Sequence, residues 1–68
     1  MTSLVMNYHL TRVESEFREM PGLQLTDAQA RRLFNLDHGS CALILGILIG
    51  RGFLAQTSDG QYIRVQRY

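Results

Sequence analysis

The sequence has one cysteine, no lysine and no apolar run long enough to cross a membrane. A single thiol, Cys41, excludes an intrachain disulfide, and a chain without disulfides suits a reducing compartment, so we expect a cytoplasmic location. The longest mainly apolar stretch, "HGSCALILGILIG", has about ten apolar residues, whereas a membrane-spanning helix needs about 20. The N-terminal stretch "MTSLVMNYHL" contains no basic residue, which argues against a secretory signal. We therefore expect no association with a membrane.

Charged residues are also few, and they nearly cancel. The 68 residues include seven basic and six acidic ones, which gives a formal net charge of +1. A net charge so close to zero does not indicate the strongly positive surface that is typical of proteins that bind nucleic acid. Because 46% of the residues are apolar, the chain can bury a core, and we expect a single domain over residues 1–68. A domain of this size is marginally stable alone and gains from association.

Residues that could carry catalysis or hold a metal are sparse. His38 and Cys41 are three positions apart, but two ligands do not form a zinc site, and no second cysteine can complete one. The acidic residues are scattered, and no glycine-rich loop that would cradle a phosphate is present. We therefore expect no enzyme activity, no metal, no cofactor and no small-molecule substrate.

The first helix is predicted by apolar residues spaced four and three positions apart, which is typical of one helix face. These residues are Met6, Leu10, Val13, Phe17 and Met20. The helix begins either near Ser3 or, with a capping box of Thr11 and Glu14, at Thr11. The apolar spacing starts before Thr11 and therefore favours the longer helix.

A short extended piece, Leu23–Leu25, is expected to separate the first helix from the second. Thr26 and Gln29 have the spacing of a capping box, so the segment "DAQARRLFNL" is predicted to be helical. Its inward residues are expected to be Ala30, Leu33 and Phe34, with Arg31 and Arg32 pointing outward.

The third helix is predicted between Asp37, a good N-cap residue, and Gly52, which suits the left-handed position that ends a helix. On a helical wheel one side has the spacing of a core face. Its members are Cys41, Ile44, Leu45, Leu48 and Ile49. The opposite, outward side comprises Gly39, Leu43, Gly46, Ile47 and Gly50.

Two β-like runs, Phe53–Thr57 and Gln61–Arg67, flank "SDG", and Asp-Gly is a strong hairpin signal. The second run alternates apolar and polar residues, which predicts one buried face and one wet face. We expect Ile63 and Val65 on the buried face and Tyr62, Arg64 and Gln66 on the wet one.

The order helix, short strand, helix, helix, strand, turn, strand resembles a winged helix-turn-helix domain. The resemblance covers residues 25–64, "LTDAQARRLFNLDHGSCALILGILIGRGFLAQTSDGQYIR". This segment is similar to small bacterial winged-helix transcriptional regulators and their uncharacterised relatives. It implies a small α+β winged helix with three helices and a C-terminal β-hairpin wing. The third helix would be the recognition helix, and Ser58–Gln61 the wing tip. The alternative is a three-helix domain with an unrelated hairpin.

The resemblance implies a DNA-binding transcriptional regulator. Its contacts to DNA are expected from Arg31, Arg32, His38, Ser40, Arg51, Gln61 and Arg64. The third helix departs from the family, whose members usually place polar or charged residues there. Leu43 and Ile47 offer no hydrogen-bond donors or acceptors that could read base edges.

The alternative function is a protein-interaction module that uses the third helix as a dimer or partner surface. That surface would comprise Ala42, Leu43, Gly46, Ile47 and Gly50. Glycine inside a helix costs roughly 1 kcal/mol relative to alanine, so a close approach should offset it. The approaching object is a helix or strand of a partner, a DNA sugar-phosphate chain or, within the monomer, the first helix.

Overall fold

The computed structural model describes residues 4–65. Its elements in chain order are α1 (Leu4–Glu19), β1 (Gln24–Leu25), α2 (Asp27–Phe34), α3 (His38–Gly50), β2 (Leu54–Gln56) and β3 (Tyr62–Arg64). The expected α+β class is confirmed, with three helices and a three-stranded antiparallel sheet. Because α1 already begins at Leu4, the longer first helix is confirmed; its expected cap, Ser3, lies outside the described residues.

The sheet has the strand order β1-β3-β2, with β3 antiparallel to both neighbours. The register pairs Tyr62 with Leu25 on one side, and Arg64 with Leu54 on the other. Since β3 also pairs with β1, the hairpin is tied to the segment between α1 and α2. The hairpin therefore belongs to the same sheet as the helical part and is not an appendage.

The inner face of this sheet is the reverse of the predicted one. Leu25 and Leu54 are buried, and directly paired residues share a face, so Tyr62 and Arg64 lie on the inner side. Tyr62 packs against the core, whereas Ile63 pairs with residues of the opposite face. The other members of the predicted alternation are Val65, which is half-buried, and Gln66, which lies outside the described residues.

One cluster of apolar side chains from all three helices and from the strands forms the core. Its buried members are Leu10, Val13, Phe17, Leu25, Ala30, Phe34, Cys41, Ile44, Leu45, Leu48 and Leu54. The spacing of α1 correctly predicted its three buried residues. Met6 is half-buried against the core, while Met20 follows the end of α1 and is exposed.

Helix α2 begins as the sequence predicts and ends two residues earlier. The Thr26 Oγ1 accepts the Gln29 backbone N–H at 3.2 Å, and the Gln29 Oε1 accepts the Thr26 N–H at 2.9 Å. Asn35 has a left-handed backbone with φ 54°, which ends the helix at Phe34. The helix meets the core through Ala30 and Phe34, so the expectation that Leu33 faces inward is wrong: it is 47% exposed.

Both predicted ends of α3 are confirmed by hydrogen bonds. The Asp37 carboxylate accepts the Ser40 backbone N–H at 3.1 Å. At the other end Gly52 has φ 77°; its N–H donates to the Ile49 carbonyl at 2.9 Å and the Phe53 N–H donates to the Leu48 carbonyl at 3.0 Å. This pair of bonds is a Schellman motif, which needs a left-handed residue and so favours glycine.

Candidate interaction surface on the third helix

The outward side of α3 is apolar along its length. Leu43 is 52% exposed and Ile49 38% exposed. Exposed Gly46 lies between them, exposed Ala42 and Gly50 lie on either side, and no charged residue occurs from Gly39 to Gly50. We name the exposed set the α3 face: Ala42, Leu43, Gly46, Ile49 and Gly50. A helix that is apolar all round is ordinarily buried on all sides, but residues 4–65 leave this one uncovered on its outward side.

The α3 face differs from the sequence expectation at one position. Ile47 was expected to point outward and Ile49 to face the core, yet Ile47 is half-buried against the core and Ile49 is exposed. Both residues lie at a border of the buried stripe, roughly 100° to either side of its centre. Periodicity gives the position of the stripe, but the neighbouring elements decide which border they cover.

The glycines of the α3 face have no structural neighbour within the described part of the chain. A Cβ atom built at Gly46 or at Gly50 would meet nothing within 4 Å. The interpretation that these glycines allow tight packing inside the monomer, against the first helix, is therefore wrong. The cost of glycine in a helix, roughly 1 kcal/mol relative to alanine, is not offset by any contact there.

The two ends of α3 carry opposite charge. At the N-terminal end, hydrogen bonds from Ser40, first from its side chain and then from its backbone, hold the pKa of the Asp37 carboxyl below its ordinary value of 3.8. At the C-terminal end lies Arg51, whose Nη1 is 3.6 Å from an oxygen of Glu14. Glu14 also pairs with Arg18, so this end keeps a net positive charge.

The arginines expected to clamp DNA are largely engaged within the domain. The Arg31 Nε lies 2.9 Å from an Asp27 carboxylate oxygen, as an ion pair without hydrogen-bond geometry. Arg51 pairs with Glu14, as described. Arg32 is exposed and has no acidic partner among the residues that the structure describes. Of these three cations, only Arg32 is therefore available to a ligand without breaking an existing pair.

Arg64 is held on the inner side of the sheet. Its Nη1 donates to the Arg18 backbone carbonyl at 3.3 Å, and its guanidinium lies 5.6 Å from the centre of the Phe53 ring. The Arg18 guanidinium approaches the same ring at 5.5 Å. Arg64 thus caps the C-terminal end of α1, where carbonyls are unpaired and cations are favourable.

The other expected DNA contacts lie on α3 and on the hairpin. His38 is exposed, with its Nδ1 3.7 Å from Asp27. Ser40 is half-buried and engaged by the cap described above. Gln61 closes the hairpin turn: its carbonyl accepts the Thr57 N–H at 2.8 Å, and its N–H donates to the Thr57 Oγ1 at 3.0 Å. Two of these three residues therefore already have local structural roles.

Sequence reasoning missed an open groove beside α2. It has a volume of about 480 Å³ and is lined by Leu25, Gln29, Arg32 and Leu33. Leu33, which lies outside the core, forms part of its wall. Only the spacing of Ala30 and Phe34, four positions apart, could have suggested that α2 contacts the core along this narrow line.

Cys41 is placed as a core residue and not as a nucleophile. Burial first, and then the nearby Asp27 carboxylate, raise the pKa of its thiol to about 11. Because the thiolate is the reactive form, the buried thiol is inert near neutral pH. Within residues 4–65 no three His, Cys, Asp or Glu side chains come together as metal ligands.

Helices α2 and α3 meet at 107° across a three-residue connection, Asn35–Asp37. That angle and length are typical of a helix-turn-helix. No single helix in the described residues is long and apolar enough to span a membrane; α2 and α3 reach that hydropathy and length only together, across this bend. Comparisons with protein-family models, curated proteins and solved structures found no match to this chain.

Proposed function

We propose that the chain is a protein-interaction domain of winged-helix architecture, and that the α3 face binds the surface of another protein. One observation carries the proposal. Gly46 and Gly50 leave a strip of α3 backbone uncovered beside the exposed side chains of Leu43 and Ile49. Nothing in the described chain covers that strip, so a partner is the remaining means of burying it.

The energetics of the α3 face favour a protein over a nucleic acid. Complete burial of a leucine or isoleucine side chain is worth about 1.5–3 kcal/mol, and the exposed fraction that a partner can still bury is 52% at Leu43 and 38% at Ile49. Glycine and alanine let a partner backbone come close, as in tightly packed membrane helices. The face carries no charge, so a partner desolvates few polar groups when it binds.

The winged-helix part of the proposal is supported by topology and by the resemblance over residues 25–64. The element order, the antiparallel sheet and the 107° angle between α2 and α3 agree with that fold. In this assignment α3 occupies the place of the recognition helix and Ser58–Gln61 form the wing tip. The face that would enter a DNA groove is then the α3 face, which lacks base-reading groups.

The test is site-specific photocrosslinking in the cells that produce the chain. A photoreactive amino acid at Leu43 should give covalent adducts with protein, and Gly46→Arg should abolish them because its bulk blocks close approach. The same amino acid at exposed Gln56, on the edge strand β2, is the matched control. Equal protein adducts from positions 43 and 56, or none from position 43, would show that the α3 face is not a protein-binding surface.

DNA binding is the second candidate, favoured by the helix-turn-helix geometry and by the unpaired Arg32. In this case Arg32 should contact phosphates and make a salt-dependent, mainly nonspecific contribution to the free energy of DNA binding. A salt titration with a pool of duplexes measures it, and Arg32→Ala should weaken binding and flatten the salt slope. A folded chain that binds no duplex at low salt contradicts this function. The α3 face cannot serve both functions at once, because it cannot lie in a DNA groove and in a protein interface at the same time.

A further inference from the structure

We infer that the groove beside α2, together with the free edge of β1, binds an extended segment of another protein that carries an apolar side chain and, two residues away, a carboxylate. This inference goes beyond the proposed function, because none of the residues involved belongs to the α3 face. Three properties of the described residues carry it: unpaired backbone groups on β1, an apolar groove on the same side, and a cation at the groove without an acidic partner.

The direction of the backbone groups along β3 follows from its pairing with β2. The Thr57 N–H donates to the Gln61 carbonyl at 2.8 Å. Farther along, the Val65 N–H donates to the Phe53 carbonyl at 2.9 Å. Positions 61 and 65 therefore direct their backbone groups towards β2, and so does position 63, because the direction alternates along a strand. Tyr62 accordingly directs its N–H and C=O to the other side, towards β1.

This alternation leaves Gln24 with free backbone groups. Leu25 lies opposite Tyr62 and forms the hydrogen-bonded pair of β1 with β3. Gln24 lies opposite Ile63 and therefore directs its N–H and C=O away from the sheet. Because β1 is an edge strand, no described strand lies on that side. Gln24 is also exposed, so both backbone groups are available to pair with an added strand.

An added strand would bring a side chain into the groove. Directly paired residues share a face of the sheet, so a residue opposite Leu25 places its side chain on the inner side, beside Leu25. Leu25 lines the groove from β1, and exposed Leu33 lines it from α2. The groove, with a volume of about 480 Å³, is large enough for an apolar side chain between these two leucines.

The polar groups at the groove are complementary to a negative charge. Arg32 lines the groove, is exposed, and has no acidic partner among residues 4–65. The Gln29 Oε1 accepts the Thr26 N–H in the capping box, which leaves the Nε2 donor of Gln29 free. A carboxylate can accept from both side chains. Because alternate residues of a strand share a face, that carboxylate belongs two residues away from the apolar one.

The free edge of β1 favours a peptide over other anions. A phosphate chain or a small carboxylate can pair with Arg32, but neither presents backbone N–H and C=O groups that match those of Gln24. The edge is only two residues long, and an exposed ion pair contributes little, so we expect weak binding. The test therefore uses NMR, which detects weak binding residue by residue.

The test is an NMR titration of the isotopically labelled full-length chain with the synthetic peptide Thr-Glu-Thr-Leu-Thr-Glu-Thr. A glutamate lies two residues from the leucine whichever way the added strand runs. We expect saturable shifts of the Gln24 amide and of the groove residues. Replacing both glutamates of the peptide by glutamine should weaken binding at least about threefold. Methylating the backbone nitrogens of the two threonines beside the leucine should have an effect of at least about the same size, because it removes the pairing with Gln24.

A double-mutant cycle assigns the charge effect to Arg32. Arg32→Gln should remove the difference between the glutamate and glutamine peptides and leave binding of the glutamine peptide unchanged. Arg51→Gln removes the same charge outside the groove; it is the matched control and should keep the difference. Gly46→Arg, on the α3 face, should keep it as well. Thermal melts check that each variant folds.

The absence of a Gln24 shift at millimolar peptide would overturn the inference. Equal binding of the methylated peptide would do the same, because the edge of β1 would then take no part, and equal binding of the glutamine peptide would remove the carboxylate. If octanoate or a pool of duplexes shifted the groove residues while the peptide did not, the occupant would be a small carboxylate or a phosphate chain, and the peptide would be ruled out. Photocrosslinking at position 43 tests the α3 face separately, so failure of this inference and failure of the proposed function are distinguishable.

Discussion

Replacing Gly46 by alanine should stabilise the isolated chain. Gly46 lies inside α3 with ordinary helical backbone, and an added Cβ would meet nothing within 4 Å, so the methyl group creates no clash. Alanine is favoured over glycine in a helix interior by about 0.8–1 kcal/mol, chiefly because the unfolded chain loses freedom. For a domain of this size, that gain should raise the melting temperature by roughly 4–8 °C.

The matched control is Gly60→Ala in the hairpin turn. A Cβ atom there would also meet nothing within 4 Å, but Gly60 has φ +87°, a conformation that alanine adopts only with strain. The cost is roughly 1–2 kcal/mol, so the two variants should shift stability in opposite directions although neither changes a side-chain contact. The pair thus separates the effect of backbone conformation from that of packing.

The assay is urea unfolding at a concentration where light scattering gives the mass of one chain. Loss of stability for Gly46→Ala under that condition would show that the glycine packs against something within the chain, and would refute the reasoning.

Three further predictions follow from the caps and the buried thiol. Thr26→Ala should lower the free energy of unfolding by about 1 kcal/mol, because it leaves the Gln29 N–H without its acceptor; urea unfolding measures this, and no loss would show that the capping box is energetically idle. The lowered pKa of Asp37 means that its stabilising effect is full above 3.8 and is lost as the pH falls below that value, so Asp37→Asn should flatten the acid side of a stability–pH curve. If Asp37→Asn left the acid side of the stability–pH curve unchanged, the Asp37 carboxylate would not be the group that stabilises this end of α3. Since the pKa of Cys41 rises from 9.0 to about 11, alkylation of the folded chain near pH 8 should be at least about 100-fold slower than in denaturant; equal rates would show that the thiol is not buried.

The sequence predicted those features that depend on neighbours along the chain. The capping box of Thr26, the N-cap Asp37 and the left-handed Gly52 each act through backbone groups a few residues away, so local sequence was sufficient. The buried residues of α1 were also predicted, because their spacing follows one helix face. These elements needed no knowledge of where the rest of the chain lies.

Prediction from the sequence failed for side chains whose burial depends on elements that are distant along the chain. Leu33, Ile47 and Ile49 lie at the borders of apolar stripes, and whether a border is covered depends on which element packs beside it. The hairpin alternation showed that β3 has two different faces, but the register with Leu25 and Leu54 decides which of them is buried. The wet face was assigned by polarity alone, which placed Arg64 on the wrong side.

The candidate surface depends on both kinds of information. Sequence alone showed an apolar helix with a glycine strip, and it left open whether a partner protein, a DNA sugar-phosphate chain or the first helix approaches that strip. The empty space around Gly46 and Gly50 excludes the explanation within the described chain. The arginines point the same way, since Arg31, Arg51 and Arg64 are bound to Asp27, Glu14 and the end of α1. The expected DNA-binding cations are therefore largely engaged, whereas the apolar α3 face has no partner among the described residues, and this contrast is why we propose a protein surface as its binding partner.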